Sequence, residues 1–148
     1  MGLYILHIID AFSRLSISAV IRRKTPQTVA HQFLLKWVGS GFGFPKRMKC
    51  DSGGEFNNEE IRELGNCVGI EIQSTAAESP WMNGLCERNH AVTDRCLEKI
   101  LHDDPKVPIE VALAYACNAK NCIQMWNGYS SFQLVFGENP RLPDVYNA

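Results

Sequence analysis

Asp51 closes the short run RMKC and is followed at once by Ser52, Gly53 and Gly54; Glu87 stands beyond 35 intervening residues, inside NGLCERNH. Two carboxylates on separate rigid elements can share a hard divalent cation. Magnesium takes oxygen ligands, commonly one or two protein carboxylates, and fills its shell with water and substrate phosphate. A pair of ions held in this way polarises both the attacking and the leaving oxygen of an in-line displacement at phosphorus. The residues after Asp51 would let a substrate backbone come close, and they equally describe an ordinary turn. A glutamate near a helix start equally serves to offset the helix dipole. On spacing alone both readings stand.

The elements that would position these acids are legible from pattern. Leu3 to Ile9 is a nearly unbroken apolar run, as in a strand buried on both faces. Ser16, Ser18 and Val20 alternate with Leu15, Ile17, Ala19 and Ile21, which predicts a second strand in a hairpin with the first. Thr25 as N-cap, Pro26 at the first helical position and Gly39 past the end frame a helix with Val29, Phe33 and Trp37 on one stripe. FPKRMKCD predicts a third strand ending at Asp51. Asn57 with Glu60 gives a capping-box pattern for a helix through about Cys67, closed by Gly69. IEIQST is a fourth strand, and AAESPWMNG a loop with Pro80 and Asn83-Gly84 as breakers. Helical patterns follow over about Leu85 to Leu101, with Leu85, Val92, Cys96 and Ile100 on one side, and over about Ile109 to Trp126. The tail holds one short helix. This order predicts an α/β fold with a mixed sheet, in which sites lie beyond the carboxyl ends of strands.

Composition narrows the classes. At 148 residues with 45% apolar and 21% charged residues, the chain suits one soluble domain. No apolar run approaches the roughly 20 residues that span a bilayer. Cys50, Cys67, Cys86, Cys96, Cys117 and Cys122 include no CxxC pair and are read as buried free thiols. The four histidines form no zinc-finger spacing. A net charge of −1 and a pI of about 6.4 argue against tight non-specific DNA binding by this domain alone.

KCDSGGEFNNEEI and SPWMNGLCERNHAV together resemble the catalytic core of retroviral and LTR-retrotransposon integrases, whose fold is ribonuclease-H-like. That family carries two aspartates and a glutamate, the last pair separated by 35 residues, as Asp51 and Glu87 are here. IIDAFSRLSISAVI and GYSSFQLVFGENPRLP also resemble family segments, so the likeness covers nearly the whole chain: residues 1–136 as core and 137–148 as an irregular tail. The resemblance implies that Asp51 and Glu87 are catalytic and bind Mg²⁺ or Mn²⁺. It implies DNA contact from Asn83 and Gly84, before the catalytic helix, and from Arg88 beside Glu87. Arg95 and Lys99 continue the same positive charge, although a solvated helix face describes them equally well. His90, Ala91, Asp94 and Glu98 share the face with Glu87, and Ala91 and Asp94 depart from the lysines the family often places there. Trp81 could stack on a base or pack into its own loop.

The third acid is the difficulty. Asp10 would complete the count, yet IIDAFSR matches the family's second strand, which carries a non-catalytic aspartate of its own. By that register the first strand and its catalytic acid lie upstream of Met1. The expectation is therefore a core lacking its first strand, its activity incomplete in this chain, with Asp10 only a weak candidate. The partners implied are DNA, as element ends and target, and a second copy in a homodimer, with no membrane and no small-molecule substrate. The location implied is nuclear or cytoplasmic. The rival reading is a non-catalytic, domesticated or decaying interaction module of the same fold.

Overall fold

The structure, a computed structural model, describes residues 2–50, 59–74 and 80–142, with side chains at positions 74 and 80–83 left aside. Its elements, in chain order, are β1 (Tyr4–Ile9), β2 (Ser16–Ile21), α1 (Pro26–Lys36), β3 (Arg47–Cys50), α2 (Glu59–Val68), β4 (Glu71–Ser74), α3 (Pro80–Asp103), α4 (Ile109–Ile123), β5 (Met125–Trp126), β6 (Tyr129–Ser130) and α5 (Ser131–Phe136). The alternation expected from the sequence is present, with one hairpin added. The chain divides into two compact units: residues 1–8 with 17–88, and residues 9–16 with 89–148.

In the first unit, β1 pairs with β2, and β3 pairs with β4 in parallel, Arg47 opposite Glu71 and Cys50 opposite Ser74. The connection over residues 10–15 is too short for a parallel crossover, so β1 and β2 are antiparallel. Among the described residues these remain separate two-stranded sheets. Both nevertheless feed the same apolar core. Phe33 and Trp37 of α1, with Ile70, gather Ile8 and Ile17 from the first pair and Met48 and Ile72 from the second. Leu6, Ile21, Val29 and Ile61 form a neighbouring cluster.

Helix punctuation largely follows the sequence. The Thr25 hydroxyl accepts from the Thr28 N–H at 3.2 Å, and Pro26 opens α1. The stop differs: Gly39 lies in a 3₁₀ turn, Val38–Ser40, and the left-handed residue is Gly41, φ 104°. The Phe33–Trp37 stripe carries the coil one tighter turn before a glycine can reverse it. At the end of α2, Gly69 takes φ 79° and the Ile70 N–H returns to the Gly65 carbonyl at 2.7 Å, a Schellman closure. Asn57, the expected cap of α2, lies outside the described residues.

In the second unit, α4 stops at Ile123 rather than Trp126. Asn127 and Gly128 adopt φ 51° and φ 89°, and β5 folds back on β6, Trp126 opposite Tyr129. Asn-Gly is a strong hairpin signal, but the apolar Met125-Trp126 pair continues the helical stripe and hides it. Ser130 then caps α5 in a full capping box with Gln133. Lys120 and Asn121 of α4 clasp the β1–β2 connection. The Asn121 amide accepts from the Ser16 N–H at 3.0 Å and donates to the Ser16 carbonyl at 2.8 Å, as a neighbouring strand would. The Lys120 ammonium is only 1% exposed and donates to the carbonyl of Arg14, a residue held at φ 62°. The Arg14 guanidinium in turn sits 3.9 Å from the Trp126 ring centroid. All six cysteines are free; Cys50, Cys117 and Cys122 are buried as expected, whereas Cys67 is exposed on the outer side of α2.

Two predictions follow from this packing. A methyl group at Gly65 would lie 2.7 Å from Ile72 Cγ1 and 2.8 Å from the Ile70 carbonyl oxygen. Gly65→Ala should therefore destabilise the chain by about 1–3 kcal/mol, read from urea denaturation. The second concerns Lys120, whose pKa burial lowers to about 8. The protonated form is penalised only in the folded state, so this lysine's contribution to stability is smallest below pH 8 and grows as pH rises toward the unfolded value. Half-buried Cys86, pushed up by burial and then by Glu87, and buried Cys122, pushed up by burial, act in the opposite sense once unfolded thiols ionise. They are common to wild type and Lys120→Met. Wild type should thus gain on that variant by about 1 kcal/mol per pH unit between roughly pH 8 and 9.5. A flat difference would contradict it.

Candidate active site

β3 ends at Cys50, which is buried and opposite Ser74 on the parallel neighbour. Asp51 is the next residue in sequence. It lies outside the described residues, as do Ser52, Gly53 and Gly54, so the structure gives no distance from Asp51 to any other acid.

Glu87 is on α3, seven residues after its first. This helix opens earlier than the sequence pattern predicts, at Pro80 instead of Leu85, and takes in Trp81, Asn83 and Gly84. Proline suits a first turn because its missing N–H would have no helical partner there. One glycine inside a long helix costs only about 1 kcal/mol. A methyl group at Gly84 would meet nothing within 4 Å, so packing does not require glycine there.

The inner face of α3 is Leu85, Asn89, Thr93 and Leu97, all buried. That is a step-of-four stripe, with two polar members that an apolar count passes over. Val92, Cys96 and Ile100, expected on the inner side with Leu85, are only half-buried. Glu87, Arg88, Asp94, Arg95, Glu98 and Lys99 are exposed, while His90 and Ala91 lie half-buried between the faces. The Arg88 Nε donates to the Gly84 carbonyl at 3.2 Å, one turn back, which lays its stem along the helix.

The Glu87 carboxylate makes no hydrogen bond or ion pair with the described residues, and its side chain is open to solvent. An uncommitted carboxylate at this place fits the hard-oxygen chemistry of a divalent cation. Its charge is felt locally: the Cys86 thiol is raised first by burial and then by Glu87. No group of three metal-ligating side chains occurs among the described residues.

Asp10 has a different environment. Its Oδ2 accepts from the Ser13 N–H at 2.8 Å and from the Ser13 hydroxyl at 2.6 Å, while its backbone bonds Leu15 and Arg14. This carboxylate organises the β1–β2 connection, the work an aspartate commonly does in a turn. Lys120 and Asn121, which fasten that connection from more than 100 residues away, were not visible as a site in the sequence.

Known proteins give this arrangement its class. A Gag-Pro-Pol polyprotein of human T-cell leukemia virus 2 is 26% identical over 146 residues, 98% of this chain and 10% of the polyprotein. The Retrovirus-related Pol polyprotein from transposon 412 of Drosophila melanogaster is 27% identical over 149 residues, 97% of this chain and 12% of that one. The chain thus spans about a tenth of the length of these curated relatives. No protein-family model matches it. Among solved structures, the HTLV-2 integrase catalytic core domain in complex with magnesium superposes with a TM-score of 0.72 at 21% identity, covering 88% of this chain and 91% of that one. The BIV integrase catalytic core gives 0.74 at 21% identity over 90% and 85%. A chain of the simian T-cell lymphotropic virus intasome, solved with PP2A regulatory subunit B56 gamma, gives 0.77 at 21% identity over 99% and 56%. The fold is that of a retroviral integrase catalytic core, a ribonuclease-H-like α/β arrangement. The sequence relatives are Pol polyproteins of retroviruses and of a retrotransposon.

The electrostatic link between Glu87 and its neighbour is testable by itself. In a Cys67→Ser background, which removes the exposed thiol, Glu87→Gln should lower the Cys86 pKa and speed its alkylation at pH 8. An unchanged or slower rate would contradict the coupling.

Proposed function

We propose that this chain serves DNA integration as an integrase-type catalytic core, its parent chemistry being metal-dependent processing of DNA 3′ ends and strand transfer. What carries the reading is the placement, on the first turns of α3, of an exposed glutamate that makes no hydrogen bond or ion pair among the described residues, within a fold that superposes on integrase cores over 88% and 90% of the chain. The β3 strand leads directly into Asp51, and the 35-residue spacing to Glu87 supports the pairing of the two.

In this reading Asp51 and Glu87 hold Mg²⁺ or Mn²⁺. A divalent ion there would supply polarisation of the attacking and leaving oxygens at phosphorus. The chain's own part is to present two carboxylates, one following β3 in sequence and one on α3. Arg88, Arg95 and Lys99 add positive charge along α3 for the DNA backbone, with Asn83 and Gly84 one turn before Glu87.

Asp10 is not assigned to the metal, because its Oδ2 is already engaged twice by Ser13. Two carboxylates by themselves are expected to hold the ion weakly.

Titration of Mn²⁺ followed by the electron paramagnetic resonance of the free ion tests this. Wild type should bind in the millimolar range or somewhat tighter, with binding lost in Asp51→Asn and in Glu87→Gln. Equal binding by wild type and both variants would overturn the metal assignment.

A further inference from the structure

The net charge of −1 conceals a division. Residues 1–50 hold eight of the fifteen lysines and arginines but only Asp10 of the sixteen acids, so +7 there is set against −8 over residues 51–148. The densest point is Arg22-Arg23-Lys24, between β2 and α1, with all three side chains exposed. Lys24 Nζ lies 4.6 Å from the centroid of the Tyr4 ring. Arg22 and Arg23 make no hydrogen bond or ion pair with the described residues. One acid does reach the first turn of α1: Glu60 accepts from the Gln27 amide at 2.6 Å, and it pairs with none of the three cations.

Folding does not ask for this arrangement. The N-terminal end of a helix is its positive pole, where acids help and cations work against the dipole. The first turn of α1 contains no acid to offset them. Three neighbouring cations, set where they weaken the helix and with no acid paired to them among the described residues, make sense when a polyanion approaches. Arginine suits phosphate in particular, because its planar fork can donate two parallel hydrogen bonds to it. Ile21 and Val29 on either side of the run are buried, which leaves them unable to enter a bilayer and disfavours a membrane surface as the partner.

We infer that Arg22, Arg23 and Lys24 form a contact for the phosphate backbone of duplex DNA, separate from the charges of α3. The inference rests on the DNA-integration reading above and adds a second point of attachment to it.

The test is fluorescence anisotropy of the 148-residue chain on a 30-base-pair duplex of arbitrary sequence, between 50 and 200 mM salt. Each neutralised phosphate contributes about 0.9 to the salt slope. The combined variant Arg22→Ala, Arg23→Ala, Lys24→Ala should bind more weakly, its slope reduced by about 2–3. The charge-retaining variant Arg22→Lys, Arg23→Lys, Lys24→Arg should keep most of the slope. Melting temperatures equal to or above that of wild type would confirm that both variants fold. Wild-type and alanine variants binding with the same affinity and slope would overturn the inference and leave the DNA reading standing. A wild type that ignores the duplex, or that binds phosphatidylserine vesicles in its place, would overturn both.

Discussion

The close approach of α2 to β4 at Gly65 is the contact on which the β3–β4 pairing depends. A parallel pair such as β3 and β4 cannot be joined by a tight turn; it needs a crossover helix that lies back on the sheet. Here that helix is α2, and the place where it lies down has no room for a side chain, because Ile72 and the Ile70 carbonyl already occupy it. With α2 seated, β3 and β4 share register from Arg47–Glu71 to Cys50–Ser74. That register ends at Cys50, the residue before Asp51 in sequence. The exposed Arg47–Glu71 ion pair at the other end adds little, as solvated pairs do. Apolar packing against Phe33 and Trp37 then holds both strand pairs to one core, although among the described residues they form separate two-stranded sheets.

What could be read in the sequence was what is encoded locally. Thr25 and Pro26, Gly69, and the Ser16–Ile21 alternation each settle their own conformation, and the structure places them as their chemistry dictates. Where two local signals competed, the pattern misled. Gly39 and Gly41 are both plausible helix stops, and tertiary packing of Trp37 chose the later one. Asn127-Gly128 competed with an apolar stripe that ran on through Trp126, and the hairpin won because both residues can adopt positive φ. Long-range polar contacts were not legible at all. Nothing near Lys120 or Asn121 announces that they fasten Arg14 and Ser16, and Asn89 and Thr93 interrupt the apolar count of the very stripe they complete. The candidate site was legible through one spacing and its flanking letters, which carry information about chemistry that periodicity does not.

The charges along the chain have different tasks. Asp10 is spent on a turn, and Arg14 on Trp126. Lys120 is buried against neutral oxygens, at a cost visible in its lowered pKa. Glu87 differs from these in being exposed and without a hydrogen bond or ion pair among the described residues, and Arg22 and Arg23 share that property. Exposed charges that make no hydrogen bond or ion pair among the described residues are the ones on which the metal and DNA proposals rest.

The central claim is that Asp51 and Glu87, one after β3 and one on α3, hold the same ion. Fe²⁺ substituted for Mg²⁺ generates hydroxyl radicals at its binding place when ascorbate and peroxide are added, and these cut the nearby backbone. The account predicts two cuts in the 148-residue chain, one beside Asp51 and one beside Glu87, both suppressed by Mg²⁺ and both lost in either Asp51→Asn or Glu87→Gln. Cutting at one position only, or loss of one cut without the other, would contradict it.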